Sequence, residues 1–68
     1  MTKIILNGVP ETLPHENMTI ADLLEWKDIN TQGTAVAIDN KLIKKDKWST
    51  TTLSDHEEVN IISAAFGG

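Results

Sequence analysis

Apolar residues occur along this chain in short runs that are bounded by turn residues. Residues 3–7, with the sequence K-I-I-L-N, predict a first strand rich in β-branched and leucine side chains. Asn7-Gly8 follows at once, and this dipeptide is a strong signal for a two-residue hairpin turn. A second short strand is therefore expected at 11–13, and Pro14 should end it because proline has no backbone N–H to donate.

The spacing of apolar residues changes to a helical period after Thr19. Thr19 is a good N-cap, and Asp22 three residues later gives a capping-box partner near the positive end of the helix. The helix should stop near residues 27–28. Three apolar residues share the face that this spacing buries: Ile20, Leu23 and Leu24.

Three more strands are expected after the helix, at residues 34–38, 41–43 and 58–64, with a single helical turn at 46–48. In the first of these strands, Val36 and Ile38 alternate with Ala35 and Ala37. The two pairs should therefore point to opposite faces of a sheet. Residues 39–40, Asp-Asn, are a turn signal that predicts a hairpin with the next strand.

The order strand, strand, helix, strand, strand, strand is that of an α+β ubiquitin-like β-grasp. In this fold a mixed four- to five-stranded sheet packs on one main helix. The first and last strands must then pair in parallel at the centre of the sheet, which the residue pattern alone does not establish. Residues 1–64 are expected to form this domain, and residues 65–68 a flexible tail.

The composition restricts what so small a domain can do. The chain has 68 residues, with no cysteine and only two histidines. Its length leaves little room for a deep substrate pocket, so an independent enzyme is not expected. Without cysteine there is no disulfide framework and no thiolate site for a metal, and the two isolated histidines give no other basis for one.

The charge and the apolar pattern also bear on partners and location. Nucleic-acid binding uses a basic stripe, whereas this chain has a net charge of −4 and no arginine. No apolar stretch approaches the roughly 20 residues of a transmembrane helix, and no signal-peptide core is visible. We therefore expect no nucleic-acid partner, no membrane association and a cytoplasmic location.

The terminal residues Gly67-Gly68 are candidates for chemistry. They are two of only four glycines in the chain, and a glycyl tail can enter a narrow channel because it has no Cβ. Its carboxylate is a poor electrophile and would need activation, for instance as an acyl adenylate made from ATP. The chain has no phosphate-binding glycine-rich loop, so a partner would supply that activation. A frayed chain end is an equally good interpretation of the pattern alone.

Four segments resemble the ThiS family of sulfur carriers in thiamine biosynthesis. They are residues 35–43 (A-V-A-I-D-N-K-L-I), the basic-x-x-Trp segment 45–48, the acidic turn 55–57 and the Gly-Gly end 67–68. The resemblance covers essentially the whole chain and implies the β-grasp fold. The sequence departs from the family pattern at His56, where the turn usually has glycine, and at Lys45, which is often arginine. If that turn needs a positive φ, His56 is somewhat strained.

The resemblance implies a carrier that is a co-substrate of other enzymes and has no catalytic residue of its own. A ThiF-like adenylyltransferase would use ATP and Mg to adenylate Gly68, and a sulfur-transfer protein would supply the sulfur. The product would be a thiocarboxylate, a 1-thioglycine that the thiazole synthase ThiG consumes. Gly67 and Phe66 would enter the partner's channel ahead of Gly68. No cofactor is expected on the carrier itself.

The strand phase also predicts a partner surface. If Val36 and the residues in phase with it face the helix, the opposite face of the sheet is apolar, and an exposed apolar face usually marks an interface. An error of one residue in the strand phase would reverse this assignment. Trp26 and Trp48 are expected to be core or partly buried anchors. The predicted partner surface consists of Ile5, Ala35, Ala37, Ile62 and Ala64.

Three other functions are compatible with the sequence. The small subunit of molybdopterin synthase ends in the same way, but those chains are usually longer and the Trp48 segment favours the thiazole branch. A ubiquitin-like modifier would form isopeptide bonds through Gly68, although Phe66 stands where modifiers usually have arginine. In a pure interaction module, the terminal glycines would be incidental.

The first prediction concerns the tail. Residues 65–68 offer little surface to bury, so we expect them to move freely in the unbound protein. Backbone ¹⁵N relaxation should give low order parameters for these residues and high ones for the strands. Order parameters in the tail as high as those in the strands would contradict this prediction.

Overall fold

The computed structural model describes residues 1–63 of the chain. Within them the elements are β1 (Lys3–Leu6), β2 (Val9–Thr12), α1 (Ile20–Trp26), β3 (Thr34–Ile38), β4 (Lys41–Ile43) and β5 (Glu58–Ser63), with a 3₁₀ turn at Lys45–Lys47. The strands form one mixed sheet in the order β2-β1-β5-β3-β4. This arrangement confirms the predicted α+β fold and gives the sheet five strands. No helix in the described part of the chain is long and apolar enough to cross a membrane.

The first hairpin turn is built by Asn7 and Gly8, as the sequence predicts. Both residues have positive φ angles, 49° and 83° respectively. Two consecutive positive φ angles are the mark of a type I′ turn, whose twist suits the two strands that it joins. Leu6 therefore pairs directly with Val9 in an antiparallel ladder.

This tight turn makes β2 start two residues earlier than the predicted segment 11–13. A two-residue loop leaves no unpaired residue, so the strand begins at Val9. Pro10 is tolerated within it because β2 lies at the edge of the sheet. Leu13 follows the strand and is buried in the core.

The strand β5 lies at the centre of the sheet, between β1 from the start of the chain and β3 from its middle. It pairs in parallel with β1, with Ile5 opposite Glu58 and Leu6 opposite Val59. On its other side β5 runs antiparallel to β3 along the whole of that strand. The parallel pairing that the β-grasp requires is therefore present.

The helix α1 begins with the capping box that the sequence predicts. Thr19 has extended backbone angles, and its Oγ1 accepts a hydrogen bond from the Asp22 backbone N–H over 3.2 Å. In return, Asp22 Oδ2 accepts one from the Thr19 backbone N–H over 3.0 Å. The helix ends at Trp26 with Lys27 as its C-cap, at the near end of the predicted range.

The core lies between α1 and one face of the sheet, and its members confirm the predicted strand phase. Ile4 and Val59 are fully buried, while Leu6 and Ile61 are partly buried against the same cluster. The buried apolar residues are Ile4, Leu13, Met18, Ile20, Leu23, Leu24, Val36, Ile38, Trp48, Leu53 and Val59.

The two tryptophans have different environments. Trp48 is 5% exposed, and its Nε1–H donates a hydrogen bond to the Ile43 carbonyl over 3.0 Å. It anchors the 3₁₀ turn, which begins one residue earlier than predicted. Trp26 is an exposed side chain, with 41% of its surface accessible, so the expectation of a core or partly buried anchor is wrong for it. The Lys27 ammonium lies 4.6 Å from the centre of the Trp26 ring, a cation–π contact at the surface.

The capping box gives a stability prediction. Thr19→Ala removes the side-chain acceptor for the Asp22 N–H and should lower the free energy of unfolding by about 1 kcal/mol. Thr19→Ser keeps a hydroxyl at the cap and should lose much less. Urea unfolding of the three proteins measures the difference, and equal stability of Thr19→Ala and the original chain would contradict the role given to the cap.

Candidate functional site

The predicted site residues fall into two groups. Four of the predicted surface residues lie on described strands, on the sheet face opposite α1: Ile5, Ala35, Ala37 and Ile62. The others lie outside the described residues, so their predicted roles stay predictions: Ala64, Phe66, Gly67 and Gly68.

Ala35, Ala37 and Ile62 form one surface together with Leu42, which was not predicted from the sequence. Ala35 lies directly opposite Ile62 in the β3–β5 ladder, and Ala37 lies opposite Leu42 in the β3–β4 ladder. Directly opposed residues in antiparallel strands share one face. Ile62 is 57% exposed and Leu42 70% exposed. We call Ala35, Ala37, Leu42 and Ile62 the apolar patch.

Leu42 was missed by the sequence-based reasoning, although the signal for it was present. The turn between β3 and β4 consists of Asp39 and Asn40, whose φ angles are 49° and 69°. This is a second type I′ turn, and its two-residue loop fixes the register of the hairpin. Once Ile38 pairs with Lys41, Ala37 must pair with Leu42 and place it on the outer face.

Ile5 is separated from the apolar patch, which corrects the predicted continuous surface. Ile5 pairs with Glu58, at the start of β5, whereas Ile62 lies four residues further along the same strand. Four residues of strand span about 13 Å. The outer face of β5 carries Glu58 beside Ile5 and Asn60 between Glu58 and Ile62. The predicted surface is therefore divided by polar side chains, and only its part on β3, β4 and the end of β5 is continuous.

The strand that leads to the chain end is fixed at both of its sides. The Asn7 backbone N–H donates to the Val59 carbonyl over 2.9 Å, and the Asp39 backbone N–H donates to the Glu58 carbonyl over 2.9 Å. Bonds of this kind hold β5 between the two hairpins. The apolar patch lies on the paired strands β3, β4 and β5, and Ile62 is six residues before Gly68 in the sequence.

The described side chains of this region offer contact surface more than reactive groups. The patch itself is hydrocarbon. Among residues 1–63, no three Asp, Glu or His side chains are grouped so that they could hold a metal ion. The arrangement therefore favours binding of a partner beside the end of β5.

Comparison with known families identifies the chain. The model of the ThiS family matches residues 4–68, which is nearly the whole sequence. The chain belongs to the ThiS family. ThiS proteins are small carriers, and the assignment supports a sulfur-carrier role. The match begins in β1 and extends to Gly68.

Two solved structures resemble this ThiS family member. The crystal structure of the thiamine biosynthesis protein ThiS from Geobacter metallireducens has a TM-score of 0.85 and 20% identity, and the match covers 98% of this chain and 100% of that one. The solution structure of a thiamine biosynthesis protein from the same organism has a TM-score of 0.82 and 20% identity, with coverage of 98% and 88%. At this identity the likeness shows the β-grasp fold alone. No curated protein matches the sequence significantly.

The turn before β5 shows how this chain accommodates its departure from the ThiS pattern. His56 has a φ of 66°, so the turn does need the left-handed conformation that the expected glycine adopts readily. The turn is held in place by β1, since the Lys3 carbonyl accepts the His56 N–H over 2.7 Å. Asp55 Oδ1 in turn accepts the Lys3 N–H over 2.7 Å. These bonds offset the strain at His56 and keep the start of β5 in register.

Proposed function

We propose that this ThiS family member carries sulfur as a thiocarboxylate on the C-terminal carboxyl group of Gly68. The observation that carries the proposal is the family match, which runs from β1 to Gly68 and so includes the Gly67-Gly68 end. The composition supports it independently. The chain has no cysteine, so a side-chain persulfide is excluded, in agreement with sulfur held on a carboxyl group.

The proposed reaction has two steps and involves no net oxidation. In the first, a carboxylate oxygen of Gly68 attacks the α-phosphorus of ATP, which forms an acyl adenylate and releases pyrophosphate. In the second, a sulfur nucleophile at the oxidation level of sulfide attacks the carbonyl carbon. A C–S bond forms, the C–O bond to AMP breaks, and AMP leaves as the anion. The protein acts in both steps as a co-substrate, and the catalytic groups belong to its partners.

Three partners follow from this chemistry. A ThiF-like adenylyltransferase binds ATP and Mg and activates Gly68, a sulfur-transfer protein delivers the sulfur, and the thiazole synthase ThiG consumes the thiocarboxylate. The requirement for ATP favours the cytoplasm as the place of reaction. Phe66 and Gly67 would enter the adenylyltransferase channel with Gly68, since glycine has no Cβ to obstruct a narrow passage.

The apolar patch is the surface that we assign to docking. Exposed apolar side chains that lie together on a rigid sheet are typical of protein interfaces. Ile62 lies six residues before Gly68, so a partner seated on the patch is close to the start of the tail. The overall charge of −4 favours partners whose docking surfaces are basic, through electrostatic steering.

Intact-mass measurement tests the proposed chemistry. The purified protein is incubated with the adenylyltransferase, ATP, Mg and sodium sulfide. Replacement of one oxygen by sulfur should raise the mass by about 16 Da, as methionine oxidation also does. Iodoacetamide separates the two, because it should add about 57 Da to the thiocarboxylate alone in a protein without cysteine thiols. The chain lacking Gly67 and Gly68 is the control, and it should not gain the carbamidomethyl mass of about 57 Da.

Two outcomes would contradict the proposal. A full-length protein that is adenylated but never accepts sulfur would exclude the carrier role. Conjugates to other proteins through isopeptide bonds, in place of the thiocarboxylate, would establish a ubiquitin-like modifier.

A substitution in the apolar patch tests the docking surface. Ile62→Lys places a charge on the patch and should lower kcat/KM for adenylation by about tenfold. Val9 is the matched control, since it is 57% exposed like Ile62 but lies in the edge strand β2. Val9→Lys should leave kcat/KM unchanged, and both variants should keep their stability within about 0.5 kcal/mol. Equal adenylation by the two variants would show that the patch is not the docking surface.

A further inference from the structure

Two hairpin turns flank the last strand, and the first residue of each turn contacts that strand with its side chain. Asn7 Oδ1 accepts a hydrogen bond from the Ile61 backbone N–H over 2.8 Å. Asp39 Oδ1 accepts one from the Glu58 backbone N–H over 3.0 Å. Asn7 and Asp39 have the same φ angle, 49°. The two residues therefore perform the same local task, one on each side of β5.

The hydrogen bond between Asn7 and Ile61 lies further along β5 than the bond between Asp39 and Glu58. The strand β1 ends at Leu6, opposite Val59, so no residue of β1 is paired with the part of β5 beyond that point. The Asn7 backbone N–H still bonds to the Val59 carbonyl. Its side-chain carbonyl then takes the N–H of Ile61, two residues further on and on the same edge of the strand. Asn7 thus extends the parallel ladder past the end of β1.

We propose that Asn7 is a positioning residue for the reacting chain end. This inference rests on the proposed function, in which Gly68 must reach the active site of an adenylyltransferase. Ile61 lies seven residues before Gly68, and its N–H is bonded on one edge of β5 by Asn7. On the opposite edge this segment is paired with β3. Within residues 1–63, Ile61 is the last residue of β5 with a hydrogen bond on the β1 edge, and Asn7 makes that bond.

Loss of the bond would lengthen the part of the chain that has to be ordered on binding. Without it, β5 is held on both edges only as far as Val59. Beyond Val59 the strand is then held on one edge only, by its pairing with β3, so two more residues, about 7 Å of extended chain, are free to fray from the sheet. Ordering these residues at each encounter costs conformational entropy. The effect should appear in KM for the carrier more than in kcat, because the reacting carboxyl group itself is unchanged.

Three variants separate positioning from simple stability. Asn7→Gly keeps the positive φ, which glycine adopts without strain, and removes only the side-chain acceptor. Asn7→Asp keeps both the turn conformation and an acceptor oxygen, since Asp-Gly also forms type I′ turns. Asp39→Gly is the matched control, because it deletes the equivalent bond at the opposite end of β5, to Glu58, ten residues before Gly68.

The variants are compared by two measurements on the full chain. Amide hydrogen exchange should be faster at Ile61 in Asn7→Gly than in the original protein, and restored in Asn7→Asp. Adenylation by the partner enzyme should show a KM for the carrier raised about two- to tenfold in Asn7→Gly, the range expected for one hydrogen bond, with kcat nearly unchanged. Asn7→Asp and Asp39→Gly should both keep the original KM.

The possible results distinguish this inference from the proposed function. If the original protein is not adenylated at all, the proposed function fails, and the exchange rate of Ile61 still reports whether Asn7 holds the strand. If the original protein is adenylated and Asn7→Gly has an unchanged KM, Asn7 is not a positioning residue. A rise in KM as large in Asp39→Gly as in Asn7→Gly would show a general effect of stability and would also overturn the inference.

Discussion

The parallel pairing of β1 with β5 is the interaction on which the rest of this structure depends. It joins the start of the chain to its last strand across more than fifty residues and places β5 at the centre of the sheet. Because β5 is central, its backbone is paired on both sides, with β1 on one and β3 on the other. Long-range pairing of this kind carries a high entropic cost of loop closure. The capped helix and the core between helix and sheet offset that cost.

Much of the fold follows from local rules that are visible in the sequence. The Asn7-Gly8 turn, the capping box of Thr19 and the alternation within β3 each have a local physical cause, and all three are present in the structure. The alternation was sufficient to assign the buried face correctly. The predicted start of β2 is two residues too late, because the two-residue loop at Asn7-Gly8 lets pairing resume at Val9.

The details of the candidate site were harder to predict because they depend on which strands are neighbours. Ile5 and Ile62 have the same phase, but Ile5 pairs with Glu58, which lies about 13 Å along β5 from Ile62, with the polar Asn60 between them. Leu42 enters the surface only through its pairing with Ala37. The contact of Asn7 with Ile61 spans 54 positions in the sequence, so no local pattern contains it.

The absence of cysteine excludes a thiol side chain as the sulfur carrier, and in the proposed function the sulfur is held at Gly68. Fragmentation of the sulfur-loaded protein in a mass spectrometer tests this most directly, because the about 16 Da gained is close to the mass added by methionine oxidation and its location decides between the two. The added mass is predicted in C-terminal fragments that contain Gly68, and not in N-terminal fragments that end at Phe66. Added mass at Met1 or Met18, with Gly68 unmodified, would contradict it.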